Sequence, residues 1–308
     1  MEQFIDNRAF ERLDKTLIEI QLIRSEILKE TVSFFHQRDF SLIDPPIIHE
    51  YIPNKKSEIY LSISDKEYAL NSSNALYLSA YAAIFGKVFA ISPTFRDEKI
   101  PKSHLSEFKM LEVELLNCSF DECVELVSDY IKSILYRLCN MHIRTVFARR
   151  ISGLYSNLQI DFQSYSDIIK KLQATDPKIQ QGLDLSDYDD KVSSVITNPT
   201  FVTDYPFPLA SWTALPKIGK TAYAFNLILP DQYGELAEGC QRNTDYKVFE
   251  YKFEKAGIRS LDWYMNAIKD CSIERSGFGL GIDRLIRWIV GCENIADTVF
   301  FPRFNEMR

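Results

Sequence analysis

Cysteine, glycine and proline are all too sparse in this chain to define its architecture. The six cysteines, at positions 118, 123, 139, 240, 271 and 292, show neither C-x-x-C nor metal-ligand spacing. A disulfide framework and a zinc module are therefore not expected; reduced, mostly buried thiols in a cytoplasmic compartment are. Eleven glycines and twelve prolines among 308 residues exclude collagen-like and linker-rich chains. An excess of positive charge is also missing. With 36 basic against 43 acidic residues the net charge is −7. That balance argues against gripping a nucleic-acid backbone as the main task, because such binding needs clustered Lys and Arg. No apolar run reaches the length of a membrane span, and the N-terminal MEQFIDNRAFERLDK is too charged for a signal peptide.

What is present is enough apolar sequence, 46% of residues, to bury a large core. Residues from about 8 to 37 read as one amphipathic helix, with Phe10, Leu13, Leu17, Ile20, Ile23, Ile27 and Phe34 at three- and four-residue steps. Asp39–Pro46 breaks it and leads into strand-like Ile47-Ile48, with Pro46 suited to a strand start or sheet edge. Residues 49–66 read as polar and irregular, and a helix follows from Asn74. Ser119-Phe120-Asp121-Glu122 has the form of a capping box ahead of a helix that buries Val124, Val127, Ile131, Ile134, Leu135 and Leu138. Residues 161–195 read as shorter helices between Ser and Asp breakers. Strand patterns return at 201–203, at 223–229 and in the glycine-spaced Gly277–Arg284, which runs into a helix over 285–290. One α+β domain with a mostly antiparallel sheet is the expected architecture.

Three segments concentrate chemistry. In SPTFRDEKIPKSHLSEFKMLEVE, residues 92–114, two strands flank a polar loop. Arg96 offers a planar fork for a phosphate or carboxylate, Glu98 can accept from an amine, His104 can reach a phosphate, and Phe108 presents a flat face to a base. A cross-strand Arg96–Glu98 pair, a loop histidine and a core Phe108 are the structural alternatives. In GELAEGCQR, residues 234–242, Glu235 and Glu238 are carboxylates beside glycines, as Mg²⁺ uses near phosphates, and Arg242 can clamp a carboxylate or carbonyl. A charged loop is the alternative for that segment. In GFGLGIDRL, residues 277–285, Gly279 and Gly281 allow close backbone approach, and Arg284 can stack on a base or meet a phosphate.

Together FRDE…HLSEF, GEL..GCQR and GFGLGIDRL, in this order and spacing, resemble the catalytic core of class II aminoacyl-tRNA synthetases. The match is to the aspartyl/asparaginyl branch, especially the asparaginyl side. The resemblance extends through GKVFAISPTFRDE, PTFVTDYP, WYMNAI and Phe301-Pro302-Arg303. It implies a class II synthetase-like antiparallel sheet flanked by helices and a single catalytic domain over 1–308. Motif 1 would lie at about 20–48, motif 2 at about 88–115 and motif 3 at about 277–290. A homodimer built on motif 1 is implied, as are ATP and Mg²⁺. By resemblance Arg96 would bind the α-phosphate and the carboxylate being activated, Glu98 the adenine side, and His104 the distal phosphates. Phe108 and Arg284 would sandwich adenine beside Gly281, and Glu235, with Glu238 as an added ligand, would hold the metal. Ser73, Ser79, Glu112, Asn226, Gly239 and Arg242 would line the amino-acid pocket, Arg242 reading its distal end.

The departures from that pattern shape the functional expectation. The motif 1 helix starts almost at the first residue, leaving no room for the branch's N-terminal anticodon-binding barrel, so tRNA is not an expected partner. Ala75 stands where a glutamine helps hold the α-amino group, and Leu78 and Ser79 replace residues that help separate aspartate from asparagine. Ser103 replaces an arginine, whose charge Lys99 or Lys102 is expected to supply; Asn226 replaces an aspartate, and Glu238 a small residue. The chain is similar to the archaeal asparagine synthetase that looks like a truncated asparaginyl-tRNA synthetase. That similarity implies aspartate, ATP and free ammonia giving asparagine, AMP and pyrophosphate. The alternatives are a ligase adenylating another amino acid or an asparagine-like amide, and a non-catalytic paralogue that binds ATP or amino acid.

Overall fold

A computed structural model describes residues 15–50, 57–97, 102–141, 145–245, 247–249, 252, 263–264, 266 and 273–303. The first helix, α1, is Lys15–His36. Its inward stripe of Leu17, Ile20, Ile23, Ile27, Phe34 and Phe35 is buried, as the spacing predicts. Full burial of Ile23 or Ile27 contributes about 1.5–3 kcal/mol each before chain entropy is set against it. Phe10 and Leu13 lie outside the described residues.

The strands β1 (Ser41–Leu42) and β2 (Ile48–His49) follow. Next comes a hairpin of β3 (Tyr60–Ile63) and β4 (Lys66–Leu70), where the sequence reads as irregular. Its strands are short and partly exposed, so they lack the buried alternation that marks a strand; Ser64 and Asp65 turn it at positive φ. Helix α2 (Ala75–Phe85) leads into the long pair β5 (Lys87–Phe95) and β6 (Glu107–Leu116). Helix α3 (Phe120–Cys139) begins with the expected capping box, Ser119 Oγ accepting from Glu122 N and the Glu122 carboxylate from Ser119 N. Helix α4 is Ala148–Ser156.

The stretch 161–195 opens with a strand, β7 (Asp161–Ser164), before helices α5 (Tyr165–Thr175) and α6 (Asp189–Ser194). Four strands complete the sheet: β8 (Thr200–Thr203), β9 (Ala224–Leu229), β10 (Gly234–Gln241) and β11 (Arg275–Gly281). Helix α7 (Ile282–Val290) continues directly from β11. The GELAEGCQR segment is thus a strand and not a charged loop.

The eight-stranded order is β1-β5-β6-β11-β10-β9-β8-β7, parallel only at the two edge pairs β1–β5 and β7–β8. A small sheet, β2-β4-β3, stands apart. One face of the large sheet, with Leu111, Val113, Phe278, Leu280, Phe225 and Leu227, packs in the main core with residues of α1, α3 and α7. The opposite face carries Glu112, Glu114, Asn226, Glu235 and Glu238. The five described cysteines are free thiols, and Cys271 lies outside the described residues. Among the described residues no helix is long and apolar enough to cross a membrane.

Candidate active site

Strand alternation selects the site. Residues directly opposite across a ladder point to the same face. Register places Glu114, Gly277, Cys240 and Ala224 in one row, and Glu112, Gly279, Glu238 and Asn226 in the next. Met110 pairs with Gly281, and Phe108 with Thr94. The three alternate glycines of β11 leave the centre of this face bare, with carboxylates on both sides. Gly277 has no room for more: a Cβ there would lie 2.0 Å from Glu114 Oε2 and 2.6 Å from Arg242 Nη2.

Two residues three apart on a regular strand face opposite ways. A bulge in the β9–β10 ladder between Glu235 and Ala237 removes that conflict, so Glu235 and Glu238 share the site face. The backbone N–H of Glu235 donates to both oxygens of Asp189, at 3.1 and 3.0 Å. Gly234 permits this contact, with a φ of +76° and with Asp189 Oδ2 only 2.5 Å from where its Cβ would stand. Asn226 Nδ2 donates to the Glu235 carboxylate. Burial, then Glu238 and Asp189, push the Glu235 carboxyl up to about 8 against the opposing pull of Arg284 and Asn226. Burial also raises Asp189. Glu238 is open to solvent along the cleft, yet enough protein surrounds it for desolvation to raise it too, with Arg96 and Arg242 opposing.

The phosphate-binding candidates meet at the other end of the face. Arg96 lies 5.5 Å above the Phe108 ring, and its Nη2 donates to the Ser72 carbonyl at 3.2 Å. Arg284 donates to the Glu235 carbonyl and to His104 Nε2, the latter at 3.1 Å, and lies 3.8 Å from Asp189. Burial first, and then Arg284, Arg96 and Arg287, push His104 down to about 3, so it is neutral. Glu98 and Lys99 lie outside the described residues. Lys102 does not replace the missing arginine, because its ammonium pairs with Glu293 on the surface at 2.9 Å. Asp283, beside Arg284, is turned away into an ion pair with Arg24 of α1 and accepts from Lys109 N.

The amino-acid end is built by α2 against β6. Ser73 Oγ donates to Glu112 at 2.6 Å, and Asn74 N donates to both Glu112 oxygens at 2.9 Å. Arg242 is buried against Glu114, its Nε and Nη2 both donating to that carboxylate, with 2.8 Å to Oε2. Its Nη1 donates to Thr213 Oγ1 and Cys240 Sγ, both at 2.9 Å, and Ser79 Oγ donates to Glu114 Oε1 at 2.9 Å. Arg242, expected to clamp a carboxylate or carbonyl, thus has its charge already compensated by Glu114. Gly239, on the opposite face, packs against Phe225 and Phe278 rather than lining the pocket.

Sequence reasoning passed over Glu114 and Asp189. The signal for Glu114 was its two-residue step from Glu112 on the same strand face, opposite a glycine. Asp189 comes from a distant helix, and no local pattern announces it.

The family described as tRNA synthetases class II (D, K and N) matches residues 1–305. The asparaginyl-tRNA synthetase of Pyrococcus horikoshii, solved with asparaginyl-adenylate, superposes with a TM-score of 0.84 at 23% identity, covering 94% of this chain and 69% of that one. The Entamoeba histolytica asparaginyl-tRNA synthetase with asparaginyl-adenylate gives 0.85 at 24%, covering 97% and 70%. The aspartyl enzyme of the same organism gives 0.80 at 21%, covering 97% and 61%. At these identities the structural likeness is one of fold. With the family match over almost every residue, it establishes that this chain belongs to the class II tRNA synthetases of the D, K and N group.

Proposed function

We propose that this chain is an ATP-dependent, AMP-forming amino-acid ligase acting through an acyl-adenylate. The observation that carries the reading is the gathering of Arg96, Phe108, His104, Arg284 and Glu235 on one sheet face, beside a pocket headed by Glu112. A carboxylate oxygen of the substrate attacks the α-phosphorus of ATP, the bond to the β-phosphate oxygen breaks, and pyrophosphate leaves. The step asks for alignment and charge neutralisation rather than a covalent enzyme group. Arg96 suits the α-phosphate and the attacking carboxylate, Phe108 and Arg284 the base, and Glu112 the α-amino group.

The acidic residues fit Mg²⁺. Glu238 and Asp189 stand close enough to raise the proton affinity of Glu235, a cost that a divalent cation relieves. Among the described residues no three such side chains stand in ligand geometry, so phosphates and water would have to complete the ion's coordination. Glu235 and Glu238 would hold it, and it would neutralise charge developing on the phosphates.

In the form implied by the asparagine synthetase resemblance, aspartate is activated and ammonia takes the acyl group. A second reading is favoured by the Arg242–Glu114 pair: with its charge compensated and Ser79 adding none, the distal pocket suits an uncharged side chain such as a carboxamide. Incubation with ATP, Mg²⁺, ammonium and single amino acids separates the two. AMP and asparagine formed in equal amounts from aspartate support the first. Amino-acid-dependent pyrophosphate exchange with uncharged substrates and not with aspartate supports the second. ATP binding without exchange for any amino acid contradicts both and leaves a regulatory paralogue.

A further inference from the structure

Each ring nitrogen of His104 faces a partner, and Arg284 dictates where the proton sits. Its Nε2 faces Arg284 Nη2 at 3.1 Å, and its Nδ1 faces Ser103 Oγ at 2.9 Å. A guanidinium has donors and no acceptor, so Nε2 must present its lone pair. The proton of the neutral ring then lies on Nδ1, and Ser103 Oγ accepts it. We propose that Ser103 is a positioning residue for ATP: accepting from Nδ1–H, its hydroxyl holds the His104 ring in the orientation, with the tautomer set by Arg284, in which Nε2 accepts from Arg284 and aims its guanidinium. Arg284 is thereby fixed from three directions, by the Glu235 carbonyl, Asp189 and His104.

The alternative tautomer would set an Nε2–H donor against an Arg284 donor, which pushes the arginine off its line. A protonated ring would do the same and would add a positive charge next to Arg284, Arg96 and Arg287. Lys102, the neighbouring cation, is occupied by Glu293 and takes no part. The hydroxyl at 103 thus works by orientation, where an arginine would work by charge.

The inference rests on the ATP role proposed for Arg284, and its test has an arm independent of that role. Nitrogen-15 NMR of the His104 ring is compared in the full chain, in Ser103→Ala and in Ser103→Thr. The expected result is a protonated Nδ1 and an unprotonated Nε2 in all three, with an Nδ1–H that exchanges slowly with solvent in the parent and the threonine variant and rapidly in the alanine variant. In pyrophosphate exchange, Ser103→Ala should raise the KM for ATP about fivefold to tenfold, the scale of one hydrogen bond. Its kcat should change much less, and Ser103→Thr should restore the parent values. An alanine variant with the parent's slow Nδ1–H exchange, or with an unchanged KM for ATP, overturns the proposal. So does failure of threonine to restore either readout. If no amino acid supports exchange in the parent chain, the ligase reading fails, and the NMR exchange of Nδ1–H alone decides whether Ser103 holds the ring.

Discussion

Arg96 is the residue whose loss separates chemistry from folding. Its contacts include a ring contact with Phe108 and long hydrogen bonds to the Ser72 carbonyl, and the residue is only half-buried, where truncation empties no packed core. Arg96→Ala is predicted to lower pyrophosphate release by at least about a hundredfold, the scale of losing a main charge-stabilising donor. The melting temperature should stay close to the parent's; a variant that keeps parent turnover contradicts the role. Glu235 yields a second prediction, from pH. Its folded-state pKa of about 8 lies above the usual 4.5, so in that window the folded chain keeps a proton that the unfolded chain has released. Its stabilising effect is complete below the lower value and is lost as pH rises through the upper one. The melting temperature of the ligand-free protein should therefore fall across this window, and Glu235→Gln should flatten the decline. Calorimetry at stepped pH checks this, and an equal slope in both proteins rules it out.

At the scale of elements, the site depends on how β6, β11 and β10 align. The glycine spacing on β11 and the Glu112–Glu114 step on β6 were legible in the sequence as alternation. Their alignment was not, because register is set by tertiary pairing and a one-residue slip turns a whole face over. The bulge that brings Glu235 to the side of Glu238 was equally hidden, and without it GELAEGCQR reads as a loop. The β3–β4 hairpin escaped for another reason: it is short and partly exposed, so hydrophobic alternation never develops. The long amphipathic α1 and the capped α3 were plain, since their apolar period runs for several turns and their caps are local. The alignment makes its own prediction. Gly277→Ala should cost about 1–3 kcal/mol, the range for forcing extra volume into a packed site. It should also impair amino-acid activation, because the new Cβ displaces the Glu114–Arg242 pair. Urea unfolding with an unchanged m-value would register the loss; a parent-like midpoint would show that the strands relax at little cost.

Over the whole molecule the large sheet divides labour between its faces. One supplies the main hydrophobic core with α1, α3 and α7, and the other holds charged groups that burial alone would disfavour. Segments distant in sequence brace the site. Asp283 ties α7 to α1 through Arg24, the Lys102 carbonyl accepts from Ile295 N, and the Arg303 carbonyl accepts from Ser106 N. The residues of the three chemical segments could be read from sequence, while these braces, Asp189 and the Glu114 pairing exist only once the chain is folded. The account's central claim is that this arrangement activates a carboxylate as an adenylate. Amino-acid-dependent exchange of labelled pyrophosphate into ATP measures that step without needing the acceptor. The account predicts exchange with at least one amino acid in the parent chain and its loss in Arg96→Ala. ATP binding with no exchange across the full set of amino acids, or equal exchange in both proteins, would contradict it.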